Sequence, residues 1–328
     1  MVKDVFFEMK RIKRIVLNSI YFVLGLVNQR LLVSFKYYYI LGRKINWKTP
    51  CDINEKINWL KFYSETSLWT ECADKYKVRD YVRRKGLDNI LVPLYGAWEN
   101  PKQIDFNVLP DQFVLKTNNG SGTNIVVKDK NKLNFDNVRK ELSWFMNKRF
   151  GFMHGEPHYE KIKPMIIAEQ LLVQDGDFTN SLIDYKVWCF NGKPKYIWVC
   201  YNRTSKEVYV SLYDTDWNYH PEYSVFTDHF KDGGNIIPKP SLLEEMLKAA
   251  SVLSEDIPQL RCDFYIVNNK VYFGEMTFSS SGGYMDFYTR PFLDELGAYV
   301  CVNYCDKKSI FLYFFLYYFR KCLFAILY

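Results

Sequence analysis

Histidine is scarce in this chain: there are four in 328 residues, His154, His158, His220 and His229, and none sits in a pattern that marks a nucleophilic triad. The eight cysteines include no Cys-x-x-Cys pair and no histidine at metal-ligand spacing, which argues against zinc and suits reduced, mostly buried thiols of a cytosolic protein. No Gly-Lys-Ser/Thr follows a glycine-rich turn and there is no Gly-x-Gly-x-x-Gly, so Walker and dinucleotide fingerprints are both missing. No compact basic stripe or nucleic-acid module is present, and nucleic acid is not expected as a partner. Long uninterrupted apolar runs are also lacking. Ile15–Val27 is short for a membrane span and no small-x-small cleavage site follows it, while the apolar Ser309–Tyr328 is broken by Arg320 and Lys321.

What is present is a globular composition, 48% apolar and 25% charged, in a chain long enough for two or three subdomains sharing a core. Aromatics reach 18%, many of them in the two terminal segments. The net charge of +7 comes largely from Lys and Arg beside those ends, a balance that suits an anionic membrane surface. The spacing of Ile15, Ile20, Val23, Leu24 and Val27 predicts a helix lying on the protein or on a membrane.

Asp52 followed by Glu55 is a capping-box pattern for a helix whose apolar face is Ile53, Ile57 and Leu60. A second helix is expected over Ala73–Lys85, closed by Gly86, a third over Phe135–Lys148 with Val138, Leu142 and Phe145 inward, and a fourth over Ser241–Ser254. Strands are expected at Val92–Tyr95 and at Met165–Ala168, the latter ending in Glu169. Asp184–Phe190 and Lys193–Cys200 form a hairpin about Asn191-Gly192. Arg261–Val267 and Val271–Phe278 form another, followed by the Ser/Gly loop Ser279–Gly283.

Two features carry chemistry. In Phe113–Lys128, FVLKTNNGSGTNIVVK, a strand ends in Lys116 and opens a loop, Thr117–Asn124, rich in Gly, Ser and Asn. Gly120 and Gly122 let backbone N–H groups approach an anion, and Lys116 supplies a charge for phosphate oxygens. A hairpin with a long polar turn is the plainer alternative. The second feature is Asp263 and Glu275, carboxylates in otherwise apolar strands, which need a partner such as Mg²⁺ with a polyphosphate, or a salt bridge to Arg261. If they share a metal, the metal-free protein holds two carboxylates together in low dielectric, which is unfavourable. Parity adds a constraint. Both face one side only if an odd number of residues intervenes at the turn, so a three-residue loop Asn268–Lys270 is expected, with Asp263 opposite Glu275 and Arg261 opposite Thr277.

Taken in order, INEKINWLKFY, ADKYKVRDYV, LPDQFVLKTNNGSGTNIVV, IIAEQLL, DYKVWCFNGKPKYI and RCDFYIVNNKVYFGEMTF resemble the ATP-grasp superfamily. The similarity is closest to its TupA-like branch, associated with teichuronopeptide and capsular polysaccharide biosynthesis, and it covers roughly residues 45–290. It implies an α+β ATP-grasp fold, with a nucleotide cleft between a small α+β subdomain and a larger antiparallel-sheet subdomain. The corresponding division is a helical apolar and basic segment 1–44, a helical region 45–107, the small subdomain 108–168, the large one 169–297 and an apolar tail 298–328. Residue by residue, Lys75 and Lys116 resemble the two phosphate-binding lysines, and Asn118, Asn119, Gly120, Ser121, Gly122 and Thr123 the lid. Glu169 with Gln170 and Leu172 resembles the hinge that holds adenine and ribose. Asp263 and Glu275 resemble the Mg²⁺ ligands. The family usually places Asn where Thr277 stands, and a threonine hydroxyl can also ligate Mg²⁺ or hold a ligand water. Arg261 would lie beside the phosphates or an acyl-phosphate, and Lys186 would face the phosphates or the acceptor, the alternative being a solvent-facing strand lysine.

The resemblance therefore implies a ligase using ATP and Mg²⁺. Such an enzyme activates a carboxylate as an acyl-phosphate and joins it to an amine, with no need of a triad. The expected partners are a carboxylate-bearing sugar or peptide acceptor and an amine or amino-acid donor. The expected location is the cytoplasm, with peripheral contact at the inner face of the cell membrane. A sugar-transferring enzyme of the same pathway and a non-catalytic membrane-associated nucleotide-binding scaffold are the competing classes.

Overall fold

A computed structural model describes residues 2–174 and 179–302; the expected apolar segment Ser309–Tyr328 lies outside them. At the N-terminus, helix α1 (Val2–Val27) turns at Asn28 into α2 (Gln29–Leu41). The Asn28 side chain accepts hydrogen bonds from the backbone N–H groups of Arg30 and Leu31, so a single residue both ends one helix and caps the next. Tyr21 and Leu24 of α1 pack on Leu31 and Leu32 of α2. Among the described residues no helix is long and apolar enough to cross a membrane.

Asp52 caps α3 (Ile53–Tyr63) by accepting from the Glu55 N–H. Glu55 does not close the reciprocal half of the expected box. Its carboxylate reaches instead to the N–H groups of Cys51 and Asn46, fastening the preceding loop. Of the expected helix Ala73–Lys85 only α5 (Val78–Arg84) forms, and a separate α4 (Ser67–Ala73) ends at its expected start. Asp74 separates them: its carboxylate accepts from the Tyr76 and Lys77 N–H groups, a local turn that competes with helix continuation and places Lys75 at the break.

The first sheet contains β1 (Leu94–Trp98), β2 (Phe113–Thr117), β3 (Asn124–Val127) and β4 (Ile166–Gln170) in the order β1-β4-β2-β3, with every pairing antiparallel. Its edge strand β1 thus comes from ahead of residue 108. Helix α6 (Phe135–Met146) covers this sheet through Val138, Leu142 and Phe145, the face expected from the sequence, against Phe113, Leu115 and Val127. The short α7 (Phe150–His154) follows.

The second sheet holds six strands: β5 (Asp184–Phe190), β6 (Lys193–Tyr201), β7 (Val208–Asp214), β8 (Phe230–Asp232), β9 (Leu260–Val267) and β10 (Lys270–Thr277). Their order is β10-β9-β5-β6-β7-β8, antiparallel except where β8 joins β7. The Asn191-Gly192 turn forms as expected, with both residues at positive φ. Helix α8 (Leu243–Leu253) buries Leu243, Met246, Ala250 and Leu253 in the largest core, and α9 (Arg290–Ala298) is held to α3 by Lys56, which donates to the carbonyls of Gly297 and Val300.

The β9–β10 hairpin reaches the expected facing by another route. Asn268 and Asn269 alone make the turn, both at positive φ, because Lys270 pairs with Val267. The odd residue is supplied further on by a bulge at Gly274, after which Glu275 pairs with Asp263 and Thr277 with Arg261. A Cβ at Gly274 would stand 2.9 Å from the Asp263 carbonyl oxygen, so the bulge needs glycine.

Candidate active site

On the first sheet, Lys116 leaves β2 and donates to Glu169 of β4 at 2.7 Å, while Arg79 of α5 donates to the other oxygen of the same carboxylate at 3.0 Å. Glu169 is buried and held between two cations. Lys75 donates through its ammonium to the Gly120 carbonyl, and the Asn118 carbonyl accepts from its backbone N–H at 3.4 Å. Burial lowers the Lys75 ammonium pKa. Of the charges that oppose this, Glu275 of the β9–β10 hairpin acts most strongly.

Within the glycine-rich loop the residues divide into braces and a tip. Asn118, wholly buried, donates to Asp74 and the Lys163 carbonyl and accepts from the Met165 N–H. Asn119 donates to the Met146 carbonyl at 3.3 Å, Gly120 is packed over Phe150, and the Thr123 and Thr117 hydroxyls bond at 2.9 Å. Ser121 and Gly122 are exposed, and Gly122 has φ +67°. At the expected hinge, β4 ends with Gln170, whose N–H donates to the Pro93 carbonyl, and Leu172 packs with Val92 and Val267.

On the second sheet, Asp263 is 1% exposed and takes a two-pronged contact from Arg261, Nε to Oδ1 and Nη2 to Oδ2, both at 2.7 Å. Lys186 adds a third bond at 2.6 Å and also contacts Asp184 at 2.5 Å. Arg261 goes on to the Ser280 hydroxyl at 2.6 Å, to Thr277 at 3.2 Å and to Glu275 at 3.4 Å, and Thr277 donates to Glu275 at 3.1 Å. The unfavourable pair of bare carboxylates expected from the sequence is therefore relieved by Arg261 and Lys186. Burial opposes every charge here, yet Arg261 and Lys186 hold the Asp263 carboxyl below its usual range, and Asp184 and Asp263 hold Lys186 protonated. Burial, reinforced by Asp263, raises the Asp184 carboxyl.

Spacing alone missed Asp184 and Arg79. Asp184 carried a signal, since it precedes Lys186 by two residues on one strand and so shares its face. Arg79 reaches Glu169 across 90 residues of sequence.

The donor set Asp263, Glu275 and Thr277 consists of hard oxygens, as Mg²⁺ prefers. Among the described residues no group of three or more His, Cys, Asp and Glu side chains is placed to hold a metal. Two carboxylates are the complement Mg²⁺ commonly takes when phosphates supply the remaining oxygens. Glu275, 44% exposed, is open to a metal that arrives with a polyphosphate, whereas both Asp263 oxygens are engaged by Arg261 and Lys186 and would have to be released to it.

Beyond the hairpin, Ser279–Gly283 rests on a second buried polar cluster. Lys61 donates to the Gly282 carbonyl at 2.6 Å and to Asn58 at 2.8 Å, and Ser279 donates to Glu156 with His158 Nε2 3.4 Å away. Burial lowers Lys61 to about 7 and Lys36 to about 8, Glu156 partly opposing in each case, and burial raises the Glu156 carboxyl.

Residues 55–301 match the family model described as TupA-like ATPgrasp. Comparison with curated proteins gives no match. Solved structures similar to the chain include D-alanine–D-alanine ligase from Bacillus anthracis complexed with ATP (16% identity, TM-score 0.35, 63% of this chain and 54% of that one). The same ligase from Helicobacter pylori gives 16% identity and TM-score 0.39 over 77% and 68% of the two chains. ATP-grasp ligase PsnB complexed with minimal precursor, Mg and ADP gives 11% identity and TM-score 0.37 over 75% and 66%. The chain thus spans little more than half the length of the Bacillus anthracis enzyme.

Proposed function

The chain belongs to the TupA-like ATP-grasp family, and its two antiparallel sheets with their helices form an ATP-grasp fold; from this we propose that it is an ATP-dependent ligase forming amide or peptide bonds. The observation that supports the reading is the pairing of Asp263 with Glu275 beside Arg261 on β9–β10, together with two lysines at the glycine-rich loop, Lys75 from the α4–α5 break and Lys116 on β2. ATP and Mg²⁺ are the cofactors of ATP-grasp ligases. Asp263, Glu275 and Thr277 would hold the Mg²⁺, which when bound neutralises phosphate charge.

In the proposed reaction an acceptor carboxylate oxygen bonds to the γ-phosphorus as the bond to ADP breaks. An amine then attacks the acyl carbon, phosphate leaves, and the amine loses a proton. The carboxylate is already nucleophilic, so this chain's residues position and neutralise. Lys75 and Lys116 meet phosphate oxygens, releasing Gly120 and Glu169 respectively, and Arg261 with Lys186 stabilises charge on the transferring group. The exposed tip at Ser121 and Gly122 covers the phosphates and keeps water from the acyl-phosphate. The acceptor is read as the carboxyl of a sugar acid or acidic peptide and the donor as an amine or amino acid, in cell-surface polysaccharide or teichuronopeptide synthesis. That reading is supported by the family's association and places the reaction on the cytoplasmic side, where ATP is supplied.

Hydroxylamine trapping tests this. With Mg²⁺-ATP and a panel of uronic acids and glutamyl peptides, we expect ADP release and a hydroxamate that depends on the carboxylate. Binding of a nucleotide-sugar but not of ATP, or ATP binding with no turnover across the panel, would overturn the ligase assignment.

A further inference from the structure

Helix α1 has two apolar faces. One packs inward through Tyr21 and Leu24 on α2, with Gly25 against Phe152 of α7. The opposite one is largely uncovered: Ile12, Ile15, Phe22, Val23 and Leu26 are 46–63% exposed, Phe22 alone of them meeting a ring, that of Phe152, edge-on. At about 100° per residue they lie within an arc of roughly 100°, a continuous stripe rather than scattered side chains. A shallow groove of about 410 Å³, lined by Ile15, Asn18, Ser19, Phe22 and Val23, runs along it. A soluble surface does not ordinarily leave such a stripe uncovered.

Charge identifies the cover. Lys13 and Arg14 are exposed on the faces flanking the stripe, and from Met9 to Cys51 the sequence contains no acidic residue, the two acids of α1, Asp4 and Glu8, lying ahead of the stripe. A second copy's stripe would bring only more cations beside it over Met9–Val27, whereas a bilayer with anionic headgroups supplies both an apolar layer and the opposite charge. We propose that α1 docks the protein in the plane of an anionic lipid surface, with Ile12, Ile15, Phe22, Val23 and Leu26 at the acyl boundary and the flanking cations among the headgroups. The proposal rests on α1 alone and stands or falls independently of the ligase reading.

Co-sedimentation of the full chain with vesicles of phosphatidylcholine, alone or mixed with phosphatidylglycerol, tests it. The native chain is expected on the mixed vesicles, with binding that weakens as salt rises. Lys13→Gln and Arg14→Gln should each lower partitioning about fivefold, the equivalent of about 1 kcal/mol per charge. Phe22→Ser with Leu26→Ser should lower it by more than about tenfold, since each removes a buried apolar side chain. Circular dichroism checks that the helix survives; if the serine variant unfolds, the charge variants and the salt titration carry the test. Failure to bind either vesicle, or equal binding to neutral ones, would overturn the proposal. So would full binding by all the variants, which would put the contact elsewhere in the chain. A native dimer that Phe22→Ser with Leu26→Ser dissociates would assign the stripe to a second copy instead.

Discussion

Replacing Asp263 by Asn separates the two carboxylates of the hairpin by their energetic roles. Asp263 is buried and accepts three charge-assisted bonds, two from Arg261 and one from Lys186. Asparagine removes the charge and turns one acceptor into a donor aimed at donors. Breaking a buried ion pair from one side costs about 3–5 kcal/mol. Here Lys186 keeps Asp184, and Arg261 keeps Ser280 and a 3.4 Å contact to Glu275, so the loss should fall at the lower end, about 3 kcal/mol. Glu275→Gln is the internal control. Its side chain is 44% exposed and its ion pair with Arg261 is long, so its effect on the nucleotide-free protein should be about 0–1 kcal/mol.

Urea unfolding of the nucleotide-free variants, with unchanged slopes, measures both. Mg²⁺-ATP at a hundredfold over its dissociation constant should add about 2.7 kcal/mol to the native chain and almost nothing to Glu275→Gln. Because the folded Asp263 pKa is depressed, its contribution is present above the unfolded value near 3.9 and is lost only as pH falls through the lower folded one. The gap between native and Asp263→Asn should accordingly stay level from about pH 5 to neutrality. If Asp263→Asn lies within about 0.5 kcal/mol of native, or costs less than Glu275→Gln, the assignment of Asp263 as the charge centre of the site is wrong.

Two further outcomes follow from the structure. Gly274→Ala brings a Cβ to 2.9 Å from the Asp263 carbonyl oxygen and should cost about 1–3 kcal/mol by urea unfolding, with loss of Mg²⁺-ATP protection; a variant that keeps both would show that the bulge does not need glycine. Lys61, lowered to about 7 by burial, is neutral in the folded chain at pH values where the unfolded chain still binds its proton, so native stability should climb by up to about 1.4 kcal/mol per unit above pH 7. In Lys61→Met the climb should be reduced to the part that Lys36, also lowered by burial, contributes; an unchanged slope assigns it to other groups.

The elements that carry their own local signals were legible in the sequence: the cap at Asp52, the inward face of α6, the Asn191-Gly192 turn, and Lys116 at the mouth of a glycine-rich loop. What depends on competition or on distant partners was not. The helix expected over Ala73–Lys85 begins only at Val78 because Asp74 offers the Tyr76 and Lys77 N–H groups a side-chain acceptor. Glu169 reads as a residue open to a ligand until Lys116 and Arg79, 53 and 90 residues away, close on it. The facing of Asp263 and Glu275 followed from parity, yet the extra residue sits in the strand and not in the turn, since two asparagines tolerate positive φ where three residues would have made a wider loop.

The bulge at Gly274 makes chain length a poor ruler for this site. Because Lys270 pairs with Val267, an unbulged hairpin would set residue 274 opposite Asp263. Deleting Gly274 would move the glutamate into that place and leave both carboxylates on one face of a straighter strand. A residue added at Asn268-Asn269 that leaves Val267 paired to Lys270 only lengthens the loop and keeps Glu275 opposite Asp263; a strand that slips by one to keep a two-residue turn, with the bulge kept, turns the glutamate over instead. A one-residue gap between the two acids in an alignment therefore carries different meanings according to where it falls: at the glycine it records a change in strand curvature, and at the asparagines it records either a longer turn or a slipped register.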